Sequence, residues 1–322
     1  MKSLSELTDF YYKILHPTLS KLEEDRKHLR YRILLVGSGY TFLTLLIIFA
    51  MKDIILHDLN ILFFVGAGYS ALGAIIYKML IKDYTKEFKN KVISPLITEI
   101  DSHLEYSSTL HVSQRVFEKS KIFTSDIDRM KGNDFVRGTI DDVKIQFSDI
   151  HAEKSHKDSK NNESWSTVFQ GLFIVAEFHK HFAGQTVVLP DSAQNHFGDL
   201  IGSWLQSNNI NRNELVKMDN IEFEKEFVVY SSDQIEARYI LSPVLMQRLL
   251  SFQKKSQHPV YISFIGESIH MAIEYNKDLF EPSVFRSLLD YKIAMEYVQT
   301  LHLAIGIIEE LKLNQKLWSK RG

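Results

Sequence analysis

The chain has 322 residues, and its 38 lysines and arginines nearly balance its 40 acidic residues, giving a formal net charge of −2. This balance gives no indication of a nucleic-acid partner. The chain contains no cysteine, which excludes thiolate catalysis and thiolate metal sites and fits a reducing compartment.

Two apolar stretches stand close together near the start of the chain, at residues 33–51 and 59–77, and neither contains an ionisable residue. Each is about as long as a helix that crosses a bilayer. A short polar segment separates them, so the two predict a transmembrane helical hairpin over residues 33–81. About thirty polar-rich residues precede the first stretch, which argues against a cleavable signal peptide.

Basic residues flank the hairpin on both outer sides and are scarce in its connecting segment. Basic flanks usually stay in the cytoplasm, so we expect both termini inside and the connection outside. Each basic residue near an anionic membrane surface adds on the order of 1 kcal/mol to binding. The residues expected to face lipid head groups are Arg26, Lys27, Arg30, Arg32, Lys78 and Lys82.

Amphipathic segments lie on either side of the hairpin. Residues 1–32 predict an amphipathic N-terminal helix, and residues 82–120 predict a stalk helix with one apolar stripe. The two apolar faces could pair as a cytoplasmic stalk, or one of them could lie flat in the membrane interface. Acidic residues beside the second stripe, including Glu87 and Glu99, favour the stalk. The stripe consists of Tyr84, Phe88, Val92, Ile93, Leu96, Ile97, Ile100 and Leu104.

The rest of the chain, residues 121–322, predicts a cytoplasmic α+β domain. Alternation over 143–147 and an apolar run over 168–178 predict a long antiparallel hairpin, whose polar connection at 152–166 is expected to be a mobile tip. Residues 184–190 predict a third strand, ended by Pro190. A helix over 193–206 and an Asn-rich linker over 207–213 are expected to follow.

Further along, residues 221–229 have strand character and a helix is expected after Pro243. Residues 260–265 and 268–275 predict two strands around a Gly266-Glu267 turn, and a long helix is expected over 282–320. The predicted fold class is therefore α+β. A transmembrane hairpin with a helical stalk precedes a mostly antiparallel sheet with packed helices and a long C-terminal helix.

Five motifs follow the two spans: Phe169-Gln170-Gly171-Leu172-Phe173, Phe178-His179-Lys180, Gly184-Gln185-Thr186-Val187-Val188, Phe223-Glu224-Lys225-Glu226-Phe227 and Asp233-Gln234-Ile235-Glu236-Ala237-Arg238-Tyr239. Together with the spans, these motifs resemble a bacterial membrane-protein family of unknown function, some of whose members carry the label galanin-like. The resemblance extends over about residues 5 to 318. It implies a bacterial inner-membrane protein with two N-terminal spans and a cytoplasmic domain, and it implies no reaction. Some relatives are encoded near LemA-type membrane proteins, which suggests a partner.

The polar cluster Asp233, Glu236 and Arg238 is the candidate ligand-binding site. An Asp and an Arg near a turn can form a bidentate ion pair that recognises a polar ligand. They can equally form a clasp between strand and helix, which is the commoner role of such networks and the one favoured here.

His179 and His181 would share a strand face, as metal ligands can, but the sequence indicates no third ligand. We therefore predict no metal and no cofactor. The sequence carries no Walker loop, Gly-x-Ser-x-Gly, His-Glu-x-x-His or dinucleotide-binding fingerprint, so no catalytic residue is predicted.

Three functions remain open. The first is a membrane-anchored interaction, scaffold or ligand-sensing module. The second is an enzyme with an unfamiliar site near Asp233 and Arg238. The third is an oligomeric channel or transport accessory subunit, although pores usually carry ionisable residues within their spans. The expected partners are the lipid bilayer and, from the resemblance, a LemA-type membrane protein. Small residues in both spans also make a homo-oligomer an open alternative to tight packing within one hairpin.

Overall fold

The computed structural model describes residue 6 and residues 9–58, 60–123, 125–158, 161–191 and 214–311. The chain divides into two compact units. The hairpin unit runs from Leu4 to Pro95 and also contains Glu281–Glu296. The sheet unit runs from Leu96 to Phe280 and resumes at Tyr297.

The two predicted spans lie within long helices. The runs Tyr12–Ala50 and Asn60–Ile100 are long and apolar enough to cross a membrane, with mean hydropathies of 2.2 and 1.6 in their most apolar windows, and no residue of those windows is buried. Exposed apolar surface of this extent is typical of a membrane-facing helix rather than of a core helix. The helices of this region are a π-helical turn at Tyr11–Leu15, α1 (His16–Ala50), α2 (Lys52–His57), α3 (Asn60–Phe88), a second π-helical turn at Lys89–Ile93, and α4 (Ser94–Ile100).

Tyrosine and threonine side chains join α1 to α3. The rings of Tyr40 and Tyr69 stack with their centroids 4.7 Å apart, and the Tyr40 hydroxyl donates to the Tyr69 carbonyl at 3.0 Å. Gly73 lies against the Tyr40 ring, where an added Cβ would be in ordinary van der Waals contact at 3.6 Å. A Cβ added to any of the other four glycines of the spans would meet nothing within 4 Å in the described chain, so the packing of α1 against α3 requires none of them to be glycine. They are Gly37, Gly39, Gly66 and Gly68.

The apolar stripe after the second span is buried from Tyr84 to Ile100, as a packed stalk requires. The helix ends at Ile100, earlier than predicted, because the Asp101 carboxylate accepts the His103 backbone N–H at 2.8 Å and reverses the chain. Leu104–Ser107 then form a strand. The last residue of the stripe, Leu104, is therefore buried by the sheet and not by a stalk helix.

A buried ion pair holds residues 281–290 within the hairpin unit. Two guanidinium nitrogens of Arg26 contact the two carboxylate oxygens of Glu23 at 2.7 and 2.9 Å, and both side chains are only 6% exposed. Arg26 also donates to the Val284 carbonyl, and Glu23 accepts the Leu288 backbone N–H at 2.9 Å. These bonds satisfy backbone groups of a segment predicted to be helical, and the final helix starts later, at Tyr291.

The sheet unit confirms the α+β fold class. Its strands form a seven-stranded antiparallel sheet in the order β1-β2-β3-β4-β6-β5, and β7 pairs with the other edge of β4. The strands are β1 (Leu104–Ser107), β2 (Arg129–Ile140), β3 (Val143–Lys157), β4 (Glu163–Pro190), β5 (Glu214–Val216), β6 (Phe227–Ser231) and β7 (Val260–Glu274). The further helices are α5 (Gln114–Lys119), α6 (Ile221–Glu226), α7 (Gln234–Ile240), α8 (Pro243–Ser256) and α9 (Tyr291–Glu310).

The β3–β4 hairpin forms as predicted, but its polar connection is mostly strand. The ladder continues to the pair of Lys157 and Glu163. Arg129 of β2 supports this extension, because it binds the Glu153 carboxylate at 2.7 Å and lies 4.0 Å from the ring centroid of Trp165. This two-stranded extension of β3 and β4 beyond Ala152 is called the β3–β4 arm. Its polar side chains can point to solvent from both faces while its backbone groups pair.

Two predicted strand breaks are absent. Residues 184–190 belong to β4, although its pairing with β7 is irregular between Glu177 and Gln185. Residues 260–274 form one strand, β7, and both of its halves pair with β4. Gly266 adopts a φ of +61°, which bends β7 without reversing it. The residues before β6 also differ from expectation. Asn220 caps α6 by accepting the Phe223 N–H at 3.0 Å, so strand structure begins only at Phe227.

The expected helix at 193–206 and linker at 207–213 lie outside the described residues, as does the final helix beyond 311. The predicted helix after Pro243 is confirmed as α8, with the Ser242 hydroxyl accepting the Leu245 N–H at 3.4 Å.

The two faces of the sheet differ in cover. One face carries buried apolar residues such as Phe147 and Ile174. The opposite face is covered in part by α5, whose Phe117 ring lies 4.9 Å from Phe173. Beyond Val175, on the same face as Phe173, the sheet remains open and polar. This uncovered area is the candidate site.

Candidate functional site

A groove of about 740 Å³ lies on the open sheet face where β1, β2, β3, β4 and β7 run side by side. Antiparallel neighbours that oppose each other project their side chains to the same face. Arg137 of β2 opposes both Glu105 of β1 and Gln146 of β3, and Gln146 opposes Val175 of β4. The polar side chains that line the groove are His103, Glu105, Arg137, Thr139, Lys144, Gln146, Glu177, Glu267 and Ser268.

The charged groups of the groove form largely exposed pairs, one close and one loose. Arg137 contacts Glu105 at 2.8 Å with both side chains more than 60% exposed. Lys144 and Glu177 approach only to 3.8 Å. Exposed ion pairs of this kind contribute about 0–1 kcal/mol. A ligand could therefore replace them at little energetic cost.

Gly138 sets the position of β1 beside the groove. A Cβ at Gly138 would lie 2.4 Å from the His103 carbonyl oxygen, so a larger residue would displace the chain that leads into β1. The groove wall at Glu105 thus depends on a glycine on the neighbouring strand.

His270 stands on β7 opposite Val175, at the covered end of the same face, and it is only 2% exposed. Burial lowers the pKa of His270 to about 4, and nearby Lys119 adds to the effect. A hydrogen bond with the Ser263 backbone opposes this shift. Among the described residues the Nδ1 atom has no hydrogen-bond partner. The imidazole is therefore a neutral group buried beside the groove.

We expect His270 to make the sheet unit less stable in acid. As pH falls from about 6.5 to 4, the unfolded chain binds this proton before the folded chain does. The stability present above pH 6.5 is therefore lost across this window, by about 3 kcal/mol. Denaturant unfolding of His270→Gln across this range should show a smaller loss than the parent protein. His156→Gln, at an exposed position on β3, is the control, and equal losses in all three proteins would contradict the assignment.

The structure places Asp233 at the start of α7 as its N-cap. Its Oδ1 atom accepts the backbone N–H groups of Ile235 and Glu236 at 2.8 and 2.9 Å, which satisfies donors that the helix itself leaves unpaired. The guanidinium of Arg238 is exposed and lies 3.5 Å from the Gln234 side-chain oxygen. Asp233 and Arg238 thus have different partners, and ligand binding by the three residues stays a prediction.

Glu236 ties α7 to β4. Its two carboxylate oxygens accept the backbone N–H groups of Ala183 and Gly184 at 3.0 and 2.8 Å. A Cβ at Gly184 would lie 2.7 Å from the Ser232 hydroxyl and 2.9 Å from Glu236. Two of the sequence motifs therefore meet here, at Gly184 and Glu236, and their arrangement is a clasp between strand and helix.

Glu236→Gln should destabilise the sheet unit by about 1–3 kcal/mol, because an amide supplies only one acceptor oxygen for two N–H groups that the carboxylate satisfies. Thermal unfolding followed by circular dichroism would measure the change. Glu222→Gln, an exposed substitution on α6, provides the matched control and should change stability by less than about 0.5 kcal/mol. Equal unfolding temperatures for the two variants would mean that the clasp contributes no stability.

The histidine pair is only partly described. His181 Nδ1 lies 3.8 Å from a carboxylate oxygen of Glu267, and both side chains are about 70% exposed. The side chain of His179 lies outside the described part of the chain. Within that part, no three His, Asp or Glu side chains are grouped as a metal ion would require.

The basic flank needs one correction. Arg26 is buried in its pair with Glu23 and cannot face lipid head groups. Lys27 is exposed and pairs with Glu24 at 2.8 Å. Contact between the remaining flank and lipid stays a prediction, carried by the exposed residues Lys27, Arg30, Arg32, Lys78 and Lys82.

Sequence reasoning missed the groove and the tyrosine stack. Alternating polar residues on β2 and β3 were the only sequence signal of the groove, and they look the same as any solvated sheet face. The stack has no local sequence signal, because Tyr40 and Tyr69 lie 29 positions apart on different helices.

Comparison with known proteins gives a family of unknown function for the C-terminal part. One solved structure is similar, the crystal structure of the mycobacterial trehalose monomycolate transport factor A, TtfA, with 10% sequence identity over 67% of this chain and 93% of that chain and a TM-score of 0.32. A likeness at this level supports no conclusion about function. No curated protein matches the chain. Residues 167–313, which include all five motifs, part of the groove and the whole clasp, match the family described as Protein of unknown function (DUF3137).

Proposed function

We propose that this protein is a membrane-anchored interaction or ligand-sensing module. The observation that carries the proposal is the open groove of about 740 Å³ on a sheet whose other face is buried. Its volume falls in the range of about 300–1,000 Å³ that is typical of ligand pockets, and most of its lining side chains are polar, which suits a polar ligand. The two exposed apolar helices support the membrane anchor.

The proposed location is the bacterial inner membrane, with both termini and the sheet unit in the cytoplasm. The exposed basic residues on the outer sides of the spans support this orientation. The inner membrane itself is proposed from the family resemblance.

The proposed partners are the lipid bilayer and a neighbouring membrane protein, with a LemA-type protein as the first to test. Gly39, Gly66 and Gly68, where an added Cβ would meet nothing within 4 Å, also suit a contact with a second copy. Nucleic acid is not proposed.

The other two candidate functions have less support. Asp233 and Glu236 already accept backbone N–H groups, so an enzyme that uses these carboxylates would first have to break its own clasp. A channel or transport accessory subunit would need a polar path through the membrane. The hydroxyl groups of Tyr40 and Thr41 already bond within the hairpin.

Site-specific photo-crosslinking of the full-length protein in its native membrane tests the proposal. A photoreactive residue at Thr139, exposed in the groove, should capture a specific partner, and the same residue at the exposed Thr167 on β4 serves as control. A product found only with Thr139 would support a binding role for this face. Capture of no product at either position, or of the same proteins at both, would overturn the proposal.

A further inference from the structure

The charges of the groove are divided between its strands. The two cationic groups, Arg137 and Lys144, lie on the neighbouring strands β2 and β3. Two of the three acids, Glu177 and Glu267, lie on β4 and β7, and the third, Glu105, lies on β1, where it pairs with Arg137. The groove therefore has a positive region and a negative region side by side across the strands.

The ion pairs of the groove leave hydrogen-bonding capacity for a ligand. Lys144 and Glu177 are 3.8 Å apart, beyond the range of a good hydrogen bond. Glu267 lies at the same distance from His181. The Nε and Nη2 atoms of Arg137 both contact one carboxylate oxygen of Glu105 at 2.8 Å. The opposite edge of the guanidinium, formed by Nη1 and Nη2, suits a phosphate or carboxylate of a ligand.

The mixed charge selects against ligands of one sign. A purely anionic molecule held by Arg137 and Lys144 would meet the acidic region, and a purely cationic molecule would meet the basic one. Like charges in contact are unfavourable, and specificity often arises from such repulsion. A molecule with both signs satisfies both regions.

We propose that the groove binds a small zwitterionic molecule, whose phosphate or carboxylate lies between Arg137 and Lys144 and whose ammonium group lies between Glu177 and Glu267. This inference rests on the proposed function, because it gives the chemistry of a ligand for the same groove. The volume of about 740 Å³ accommodates a small molecule. Gln146 and Ser268 add neutral hydrogen-bonding groups at the floor.

Calorimetric titration of the full-length protein in a maltoside detergent tests the inference. The zwitterionic probes are glycerophosphoethanolamine, which represents a lipid head group, and dialanine, which represents a free carboxylate and ammonium. The control probes carry charge of one sign only and are called the single-charge probes. They are glycerol phosphate, which is anionic, and ethanolamine, which is cationic. We expect at least one zwitterion to bind at least tenfold more tightly than both single-charge probes. Tighter binding of glycerophosphoethanolamine would identify the ligand as a lipid head group. Tighter binding of dialanine would identify it as a free molecule with a carboxylate and an ammonium group.

Variants locate the binding. Lys144→Gln and Glu177→Gln should each weaken zwitterion binding at least tenfold. Lys157→Gln and Glu163→Gln, on the same two strands but at the distal end of the β3–β4 arm, should bind as the parent protein does. Thermal unfolding confirms that the four variants are equally folded. If no zwitterion binds at millimolar concentration, if single-charge probes bind equally well, or if the groove variants bind normally, the inference is wrong. Partner capture at Thr139 would still support the proposed function in each of these cases.

Discussion

Arg26→Ala is expected to destabilise the hairpin unit by about 3–5 kcal/mol, because it leaves the Glu23 carboxylate buried without its partner. Both side chains are 6% exposed, so water cannot replace the lost contact. The substitution also removes a donor to the Val284 carbonyl. Denaturant titration in a mild detergent, followed by circular dichroism, would measure the loss. Hydrogen exchange of residues 281–290 should rise in parallel, because Arg26 and Glu23 together hold this segment.

Two further variants separate burial from charge. Lys27→Ala breaks an exposed pair with Glu24 and should cost less than about 1 kcal/mol. The double substitution Glu23→Leu with Arg26→Met should recover part of the loss, since removing both buried charges is often nearly neutral. A loss for Arg26→Ala no larger than that for Lys27→Ala would show that the buried pair does not hold the segment.

The same pair predicts a response to pH. Burial alone would raise the pKa of Glu23, but hydrogen bonds from Arg26 and the Leu288 backbone outweigh burial and hold the pKa below its ordinary value. Its contribution is therefore present above that ordinary value and is lost as pH falls through the lowered pKa.

Gly171→Ala is expected to be among the most damaging single substitutions in the sheet unit. Gly171 has a φ of +151°, and a Cβ there would lie 2.1 Å from the Ile273 carbonyl oxygen and 2.8 Å from the Tyr275 nitrogen. Both obstacles are backbone atoms of the segment paired with β4, so neither can move without breaking the ladder. We expect a loss of about 4 kcal/mol or more, or a chain that fails to fold. Thermal unfolding and the yield of soluble protein would measure this.

Gly266→Ala on β7 is the matched control. Gly266 also has a positive φ, of +61°, but a Cβ there would meet nothing within 4 Å. Its cost should therefore be that of the backbone conformation alone, about 1–2 kcal/mol. If the two variants were equally stable, the close approach of β7 to Gly171 would not be a constraint on the fold.

Local sequence patterns predicted the parts of this fold that local forces determine. The spans are uncharged runs of membrane length, and the buried stripe from Tyr84 to Ile100 repeats with helical period. Strands β3 and β4 alternate or run apolar as strands do. The Pro243 helix carries its own start signal in the Ser242 cap. Each of these features can be read within one short window of sequence.

The missed features depend on residues distant in sequence. A Gly-Glu pair looks the same in a hairpin turn and in a bend, and only the continuous pairing of β7 with β4 distinguishes them. The polar arm beyond Ala152 became strand because Arg129 binds Glu153 and covers Trp165. Residues 281–290 are not helical as predicted, because the Val284 carbonyl and the Leu288 N–H bond to Arg26 and Glu23 instead of to helix neighbours.

The candidate site was predicted only in part. The cluster around Asp233 was identified, but its role as a cap and the attachment of Glu236 to Gly184 required the fold. The groove collects charges from five strands that span residues 104 to 274. No local pattern links Glu105 with Glu267. Sites that a sheet assembles from distant strands carry little signal in any one segment.

The length of β4 has a consequence for how the chain folds during synthesis. Along one edge of this 28-residue strand, the first half pairs with β3, which precedes it, and the end pairs with β6. The other edge waits for β7, which begins only at Val260. Distant pairings of this kind slow folding and leave an unpaired, aggregation-prone edge in the meantime. The nascent sheet unit is therefore expected to depend on chaperones until residue 274 has left the ribosome. Premature termination between β4 and β7 should yield insoluble protein.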